Sequence, residues 1–495
     1  MSADIEKMAV FDDRIVQSRP KYAVEKGALS VTNSPFQAIA ANTSQHTYNI
    51  LVPSENIFID RAVDWTSRVY LQVDVVVNEG GLLEGDQIFV PGRDFALCAF
   101  PLQALTNTMT ATINDTTVTI NSADVLPQVL RMTDYKYNRM IRTCPTMLDR
   151  YQNYADSKLA INSPLNTYSN SSATDEVPNG AYWNLYFTNT TGDRLLAGAN
   201  NTGYPGVPGA YAEWNVDAQG IPVAAAAAAA GTAYRLYLSY QSTEKLVLSP
   251  FVFSDSHEWD CGLFGCQNIQ LVMNLQAPSR VLRSFGTAVG ATPYGVGTGS
   301  SILAGSVVYN PNSPGFTNSV VNLQFLTPSL DISLPPKSVV PYMEFPRYIT
   351  SGLTATASAA NGSAAVTTSF QSQTIVLPMI PDLFMIWCRP QAYSVGNSLQ
   401  TTGADNSQAD WLLPITNISV NFDNFAGLLS SHTQPQLYKM SVNNGLEVDY
   451  NQWVGKAYAG GEPNSANSQR IPLSGGMLVL KPGRHIVLQA GQPQG

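Results

Sequence analysis

Alternation of apolar and polar residues is the dominant pattern along the chain, and a period of two predicts β-strands. Val69, Leu71, Val73 and Val75 point to one side, while Tyr70, Gln72 and Asp74 point to the other. The same pattern recurs at Tyr234, Leu236, Leu238 and Tyr240, at Ile269, Leu271, Met273 and Leu275, and at Ile418, Val420 and Phe422. Gly, Pro and Asn clusters separate these runs, as turns require. Pro482 and Gly483, between two apolar triplets, predict a hairpin turn. Helical spacing is rare. One helix is predicted over residues 125–132, with Asp124 as its N-cap, and a second over 436–442. Many strands with one or two short helices predict an all-β fold of sandwich or jelly-roll type.

The chain also resembles itself. Pro127-Gln128-Val129-Leu130-Arg131-Met132 matches Pro435-Gln436-Leu437-Tyr438-Lys439-Met440, an offset of 308. Leu105-Thr106-Asn107 matches Ile415-Thr416-Asn417, and residues 45–53 match 371–378. Leu246-Val247-Leu248-Ser249-Pro250 matches Leu478-Val479-Leu480-Lys481-Pro482 at an offset of only 232. The shorter offset means that the first copy carries extra residues, namely the Asn/Tyr/Gly/Ala-rich stretch 151–232. The expected organisation is an N-terminal arm (1–42), a first jelly roll (43–285) with the 151–232 insertion, a Gly/Ser-rich connecting segment (286–335), and a second jelly roll (336–495). The strand over 269–275 has its counterpart near 501–507, past Gly495, so the second roll is expected to lack its last strand.

Composition narrows the function classes. Charged residues make up only 13% of the chain, about half the usual share of ~25%, and the net charge is −9. No basic arm or stripe is present, so direct nucleic-acid binding is not expected. The N-terminus has no basic-then-apolar secretion signal, and no apolar run is long enough to span a membrane. An odd count of five scattered cysteines fits a reducing compartment rather than a disulfide framework. Cys261 and Cys266 lack the second pair that a zinc site needs. His257-Glu258-Trp259-Asp260 is read as a polar loop rather than a catalytic cluster, because no partner carboxylate is fixed elsewhere. Gly295-Val296-Gly297-Thr298-Gly299 lacks the Lys-Ser/Thr of a phosphate loop and reads as a connector. No catalytic, metal or cofactor site is expected. Trp65, Trp183, Trp214, Trp387 and Trp411 are read mainly as core or interface anchors. The insertion aromatics Trp183, Tyr204, Tyr211 and Trp214 are candidates for outer-surface contact.

Several ordered motifs resemble a known family. They are Pro91-Gly92-Arg93-Asp94, then Ala99-Phe100-Pro101-Leu102 running into residues 105–114, Tyr151-Gln152-Asn153-Tyr154-Ala155-Asp156, Ser163-Pro164-Leu165 and Val177-Pro178-Asn179-Gly180-Ala181-Tyr182. Pro341-Tyr342-Met343, Arg347-Tyr348 and Leu437-Tyr438-Lys439-Met440-Ser441-Val442 continue them in the second half. The chain resembles the double jelly-roll major capsid proteins of virophages and polinton-like viruses. The resemblance implies a homotrimeric, pseudo-hexagonal capsomer that tiles an icosahedral DNA-virus shell, with no catalysis. It also implies neighbouring capsomers and minor capsid or penton proteins as partners, an outward-facing insertion, and an arm against neighbours or an internal membrane. Synthesis in the host-cell cytoplasm and residence in the virion follow. The alternative is a β-sandwich carbohydrate-binding or receptor-binding spike.

Overall fold

The computed structural model describes residues 30–77, 81–91, 95–133, 144, 185–195, 211–252, 262–284, 300–303, 306–328, 342–354, 367–389, 412–422, 425–459, 469–472 and 475–486. The first half is a sandwich of two antiparallel sheets. In the large sheet the strand order is Ser30–Gln37, Phe316–Thr327, Asp64–Val77, Ala233–Lys245 and Leu185–Phe187. In the small sheet it is Ala40–Ala41, Gln45–Leu51, Asn268–Leu275, Thr106–Ile113 and Thr116–Ile120. Neighbours in the large sheet are distant in sequence, and in the small sheet Asn268–Leu275 is distant from both strands it joins, as expected where strands shuttle between the layers of a jelly roll.

The predicted alternation becomes the core. Val69, Leu71, Val73 and Val75 are fully buried, as are Leu236, Leu238 and Tyr240 across the ladder. From the small sheet, Tyr48, Ile50, Met109, Ile269, Leu271 and Met273 fill the other side of the same core. Each such side chain contributes about 1.5–3 kcal/mol of transfer free energy. The opposite face of the small sheet is polar, with exposed threonine pairs Thr110/Thr119 and Thr112/Thr117 hydrogen-bonded across the hairpin at 3.1 and 3.0 Å. Asn114, at φ 51°, opens the two-residue turn of that hairpin, a backbone region that Asn tolerates.

Two boundaries differ from the sequence reading. The arm does not extend to residue 42, because Ser30–Gln37 is an edge strand paired along its whole length with Phe316–Thr327. The connecting segment 286–335 is not a plain connection. It supplies Ser300–Ile302, Val308–Tyr309 and Phe316–Thr327 to the large sheet, all paired with Asp64–Val77. The described part of the insertion 151–232 is tied to the first roll. Leu185–Phe187 pairs with Ala233–Lys245, and the Trp214–Val216/Pro222–Ala224 hairpin lies against residues 82–88 through Ile88 N to Pro222 O and Ala224 N to Asp86 O.

In the second half, Phe384–Ile386 pairs with Leu478–Leu480, Val420–Phe422 with Phe425–Leu428, and Lys456–Ala459 with Gln469–Pro472. Leu412, Leu437, Leu446, Val448, Trp453 and residues 477–480 form its core. Gly483, at φ 75°, sits in the predicted turn after Leu478–Leu480. Residues 371–378, the counterpart of the Gln45–Leu51 strand, are largely exposed and outside any described ladder. Ile375, Val376 and Met379 are 45%, 81% and 58% exposed there.

Three helices are described: α1 (Ser122–Leu130), α2 (Gln434–Asn443) and α3 (Tyr450–Val454). The N-cap of α1 is Asn121, so the predicted Asp124 cap and 125–132 span are both corrected. The second predicted helix starts two residues early, and Gln436 Oε1 accepts from the backbone N–H of its N-cap Thr433 at 2.8 Å. Asp449 caps the unpredicted α3 by accepting from Gln452 N at 2.7 Å.

Candidate assembly surfaces

The strongest polar constellation lies where the two halves meet, on α1. Asp124 faces out of the first roll and is gripped by Arg347 and Arg389, both from the second half. Burial alone would raise the Asp124 carboxyl; the charge and hydrogen bonds of Arg389 and Arg347 outweigh it and hold the group below its usual range. Seven residues on, Arg131 is 1% exposed. Its guanidinium donates to Gly475 O of the second half at 3.3 Å and back to Pro127 O at 2.8 Å. Its own carbonyl accepts from Glu447 N at 2.8 Å, in the loop after α2. Helix α1 is therefore enclosed by the first roll on one side and the second half on the other.

Pro127 sits inside α1 and has no N–H to give to Ala123 O one turn earlier. Arg280 takes that orphan carbonyl instead, donating from Nη1 at 2.7 Å. A second pin is Glu244, which is fully buried and accepts from Leu102 N, Gln103 N and Ser242 Oγ at 2.6, 3.0 and 2.8 Å. Burial pushes its carboxyl up to about 7 despite these donors. Gln103 completes the tie, donating to Lys245 O and accepting from Val247 N. Between the sheets, His46 stacks edge-on against Trp65 and Phe316, at centroid distances of 5.8 and 4.4 Å. Neither of its ring nitrogens has a hydrogen-bond partner, and burial lowers its pKa to about 4.

The outer-contact aromatics fare differently. Trp214 is 2% exposed, with its indole N–H donating to Arg235 O at 3.0 Å, so it is a core anchor and not a surface platform. Tyr211 is half-buried and joins a ring of contacts: its hydroxyl donates to Asp74, and Arg235 donates to both. Arg235 also lies 4.2 Å above the Tyr211 ring. Trp183 and Tyr204 lie outside the described residues, as do Trp411, the 257–260 cluster and the 295–299 glycines. Trp65 is fully buried, and Trp387 packs against the second core. Cys98, Cys144 and Cys266 are buried and Cys388 is partly buried. Among the described residues, no group of three or more His, Cys, Asp or Glu could hold a metal ion, and no helix is long and apolar enough to cross a membrane. Sequence reasoning missed Asp124, Arg131, Arg347 and Arg389 as a junction. The only signal available was the repeat itself, which put Arg131 on a duplicated helix.

The family model for the first domain of the Sputnik virophage major capsid protein matches residues 3–326, and the model for the C-terminal domain of major capsid protein V20 matches residues 345–495. The chain belongs to the virophage major capsid protein family. A putative capsid protein V20 of Sputnik virophage is 24% identical over 492 residues, covering 99% of this chain and 71% of that protein. The cryo-EM structure of the Sputnik virophage superposes with a TM-score of 0.61 at 22% identity, over 95% of this chain and 80% of its counterpart. The crystal structure of the mavirus major capsid protein gives 0.58 at 15% identity, over 93% and 79%. These likenesses identify the fold as a double jelly roll. The protein is a major capsid protein of the virophage type, a structural component of the virion capsid.

Proposed function

We propose that three copies of this virophage capsid protein form a homotrimer whose six rolls make a pseudo-hexagonal capsomer, and that capsomers tile an icosahedral shell. The observation that carries the reading is the enclosure of α1 between the two halves, which sets both rolls side by side as one block. Closing such blocks into a ring demands a second flank contact on each roll, made with a copy of the same chain. The exposed apolar residues near 375–379 need cover of the kind a large obligate interface gives, typically above ~2,000 Å².

In this reading the role is structural and not enzymatic. Residues 1–29 lie at the inner base, against neighbours or an internal membrane, and the 151–232 insertion faces outward. Trp183, Tyr204 and Tyr211 are its outer contacts, and minor capsid or penton proteins fill the remaining positions. The net charge of −9 favours no direct genome contact. The chain is made in the host-cell cytoplasm. Size-exclusion chromatography with light scattering should report three times the 53.4 kDa chain mass, and electron microscopy should show three-fold blocks with hexagonal outlines. A stable monomer at micromolar concentration would overturn the proposal.

A further inference from the structure

The two copies of the repeated helix have unequal surroundings. Val129 and Leu437 occupy the same repeat position and are both buried against their own roll. The other positions diverge. Pro127, Gln128 and Arg131 are buried, with Arg131 bonded to Gly475 of the second half, while their counterparts Pro435, Gln436 and Lys439 of α2 are exposed. Val442, near the end of α2, is 40% exposed. One duplicated surface is thus covered and the other open.

The repeat also identifies what the open surface matches. α1 touches the second half at Arg389 and Gly475. Gly475 stands 232 residues after Thr243, the same offset as the Leu246 and Leu478 motifs. The ladders agree with that mapping. Ile386 pairs with Leu478, and Leu246 N donates to Val63 O, so Arg389 corresponds to Thr66. Thr66 and Thr243 are direct cross-strand partners in the large sheet, and their hydroxyls lie 2.9 Å apart. Both are half-buried on the outer face of that sheet, beside Arg68 and Gln241.

We infer that the exposed face of α2, centred on Gln436 and Lys439, docks on the Thr66/Thr243 strip of a second copy of this chain, repeating between subunits the contact that α1 makes within one. The inference rests on the trimeric reading above. The contact is heterologous, so three copies close a ring with one such junction per subunit pair. It also differs in chemistry from the internal junction. The Asp124 position becomes His432 and the Arg389 position becomes Thr66, so the ion pair that ties one chain together has no equivalent between chains.

The test is a double variant, Lys439→Cys with Thr243→Cys, treated with a short bis-maleimide and read on a denaturing gel. The expected result is covalent dimers and closed trimers from the double variant, with only monomers from each single variant and from the parent chain under the same treatment. Trimers by light scattering without covalent dimers or trimers would overturn the docking site and leave the trimeric reading standing. Covalent dimers from either single variant would overturn it too, since each introduced thiol would then be meeting something other than its assigned partner. Absence of trimers in the parent would remove the proposed function and this inference together. As a second measure, Lys439→Trp should shift the trimer's dissociation midpoint by about tenfold in concentration while leaving the monomer's thermal unfolding unchanged; an unshifted midpoint counts against the site.

Discussion

His46 and Glu244 are both fully buried in the first roll, and their titrations pull its stability in opposite directions. The His46 ring has a pKa near 4 when folded, below its ordinary 6.5, so its contribution is complete above 6.5 and lost as the pH falls through 4. Glu244 has a folded pKa near 7, above its ordinary 4.5, so its contribution is complete below 4.5 and lost as the pH rises through 7. Each shift of about 2.5 units corresponds to roughly 3 kcal/mol. Between pH 4.5 and 6.5 the two slopes oppose, and the parent's melting temperature should be nearly level. His46→Leu should unmask a melting temperature that falls as the pH rises across this window, and Glu244→Gln one that falls as the pH drops. Calorimetry at half-unit pH steps checks both, and an unaltered profile in either variant removes that residue's assigned part. The alternating runs read from the sequence include neither position; His46 lies in the strand Gln45–Leu51 and Glu244 in Ala233–Lys245. Their protonation behaviour is not visible in the sequence, because it comes from aromatic and backbone groups brought in by distant segments.

At the scale of elements, α1 shows why a helix start can be misplaced. Asp124 is a good N-cap by type, but its carboxylate is occupied by two arginines from the second half, and Asn121 stands at the cap instead. The internal Pro127 is tolerated because Arg280 occupies the carbonyl that the missing N–H leaves open. Arg280→Met should therefore cost about 1 kcal/mol by stranding a part-buried acceptor, measurable as a loss in chemical-denaturation stability. Adding Pro127→Ala, which restores the helical N–H, should recover part of that loss; no recovery would show that Arg280 acts through other contacts. The hairpin turns, the long strands and the 436–442 helix were legible because each depends on local pattern. Phe316–Thr327 carries the same alternation, with Val321, Leu323 and Phe325 buried, yet its ladder partner lies far earlier in the chain. The Gly- and Ser-rich stretch before it therefore made the whole segment resemble a connection.

For the molecule as a whole, the junction at Asp124 couples the rolls. Asp124→Ala leaves Arg347 and Arg389 without their carboxylate in a partly buried site, a loss of about 1–3 kcal/mol once solvent screening of the more exposed Arg347 is allowed for. The expected outcome is that one calorimetric transition in the parent separates into two, as the rolls unfold independently. A single transition at a lower temperature would mean that the junction stabilises without coupling. The double architecture was legible because duplication leaves matching words in the chain. The junction was not, since Asp124, Arg347 and Arg389 belong to no common motif and meet only when the rolls pack.

The exposed segment that bears Ile375, Val376 and Met379 has a practical consequence. In the proposed assembly a neighbour covers it, and a subunit kept alone is expected to stay in solution while dilute and to clump when warmed or concentrated. The time a copy spends alone then sets the yield, and whatever speeds encounter with its own kind protects it from precipitation.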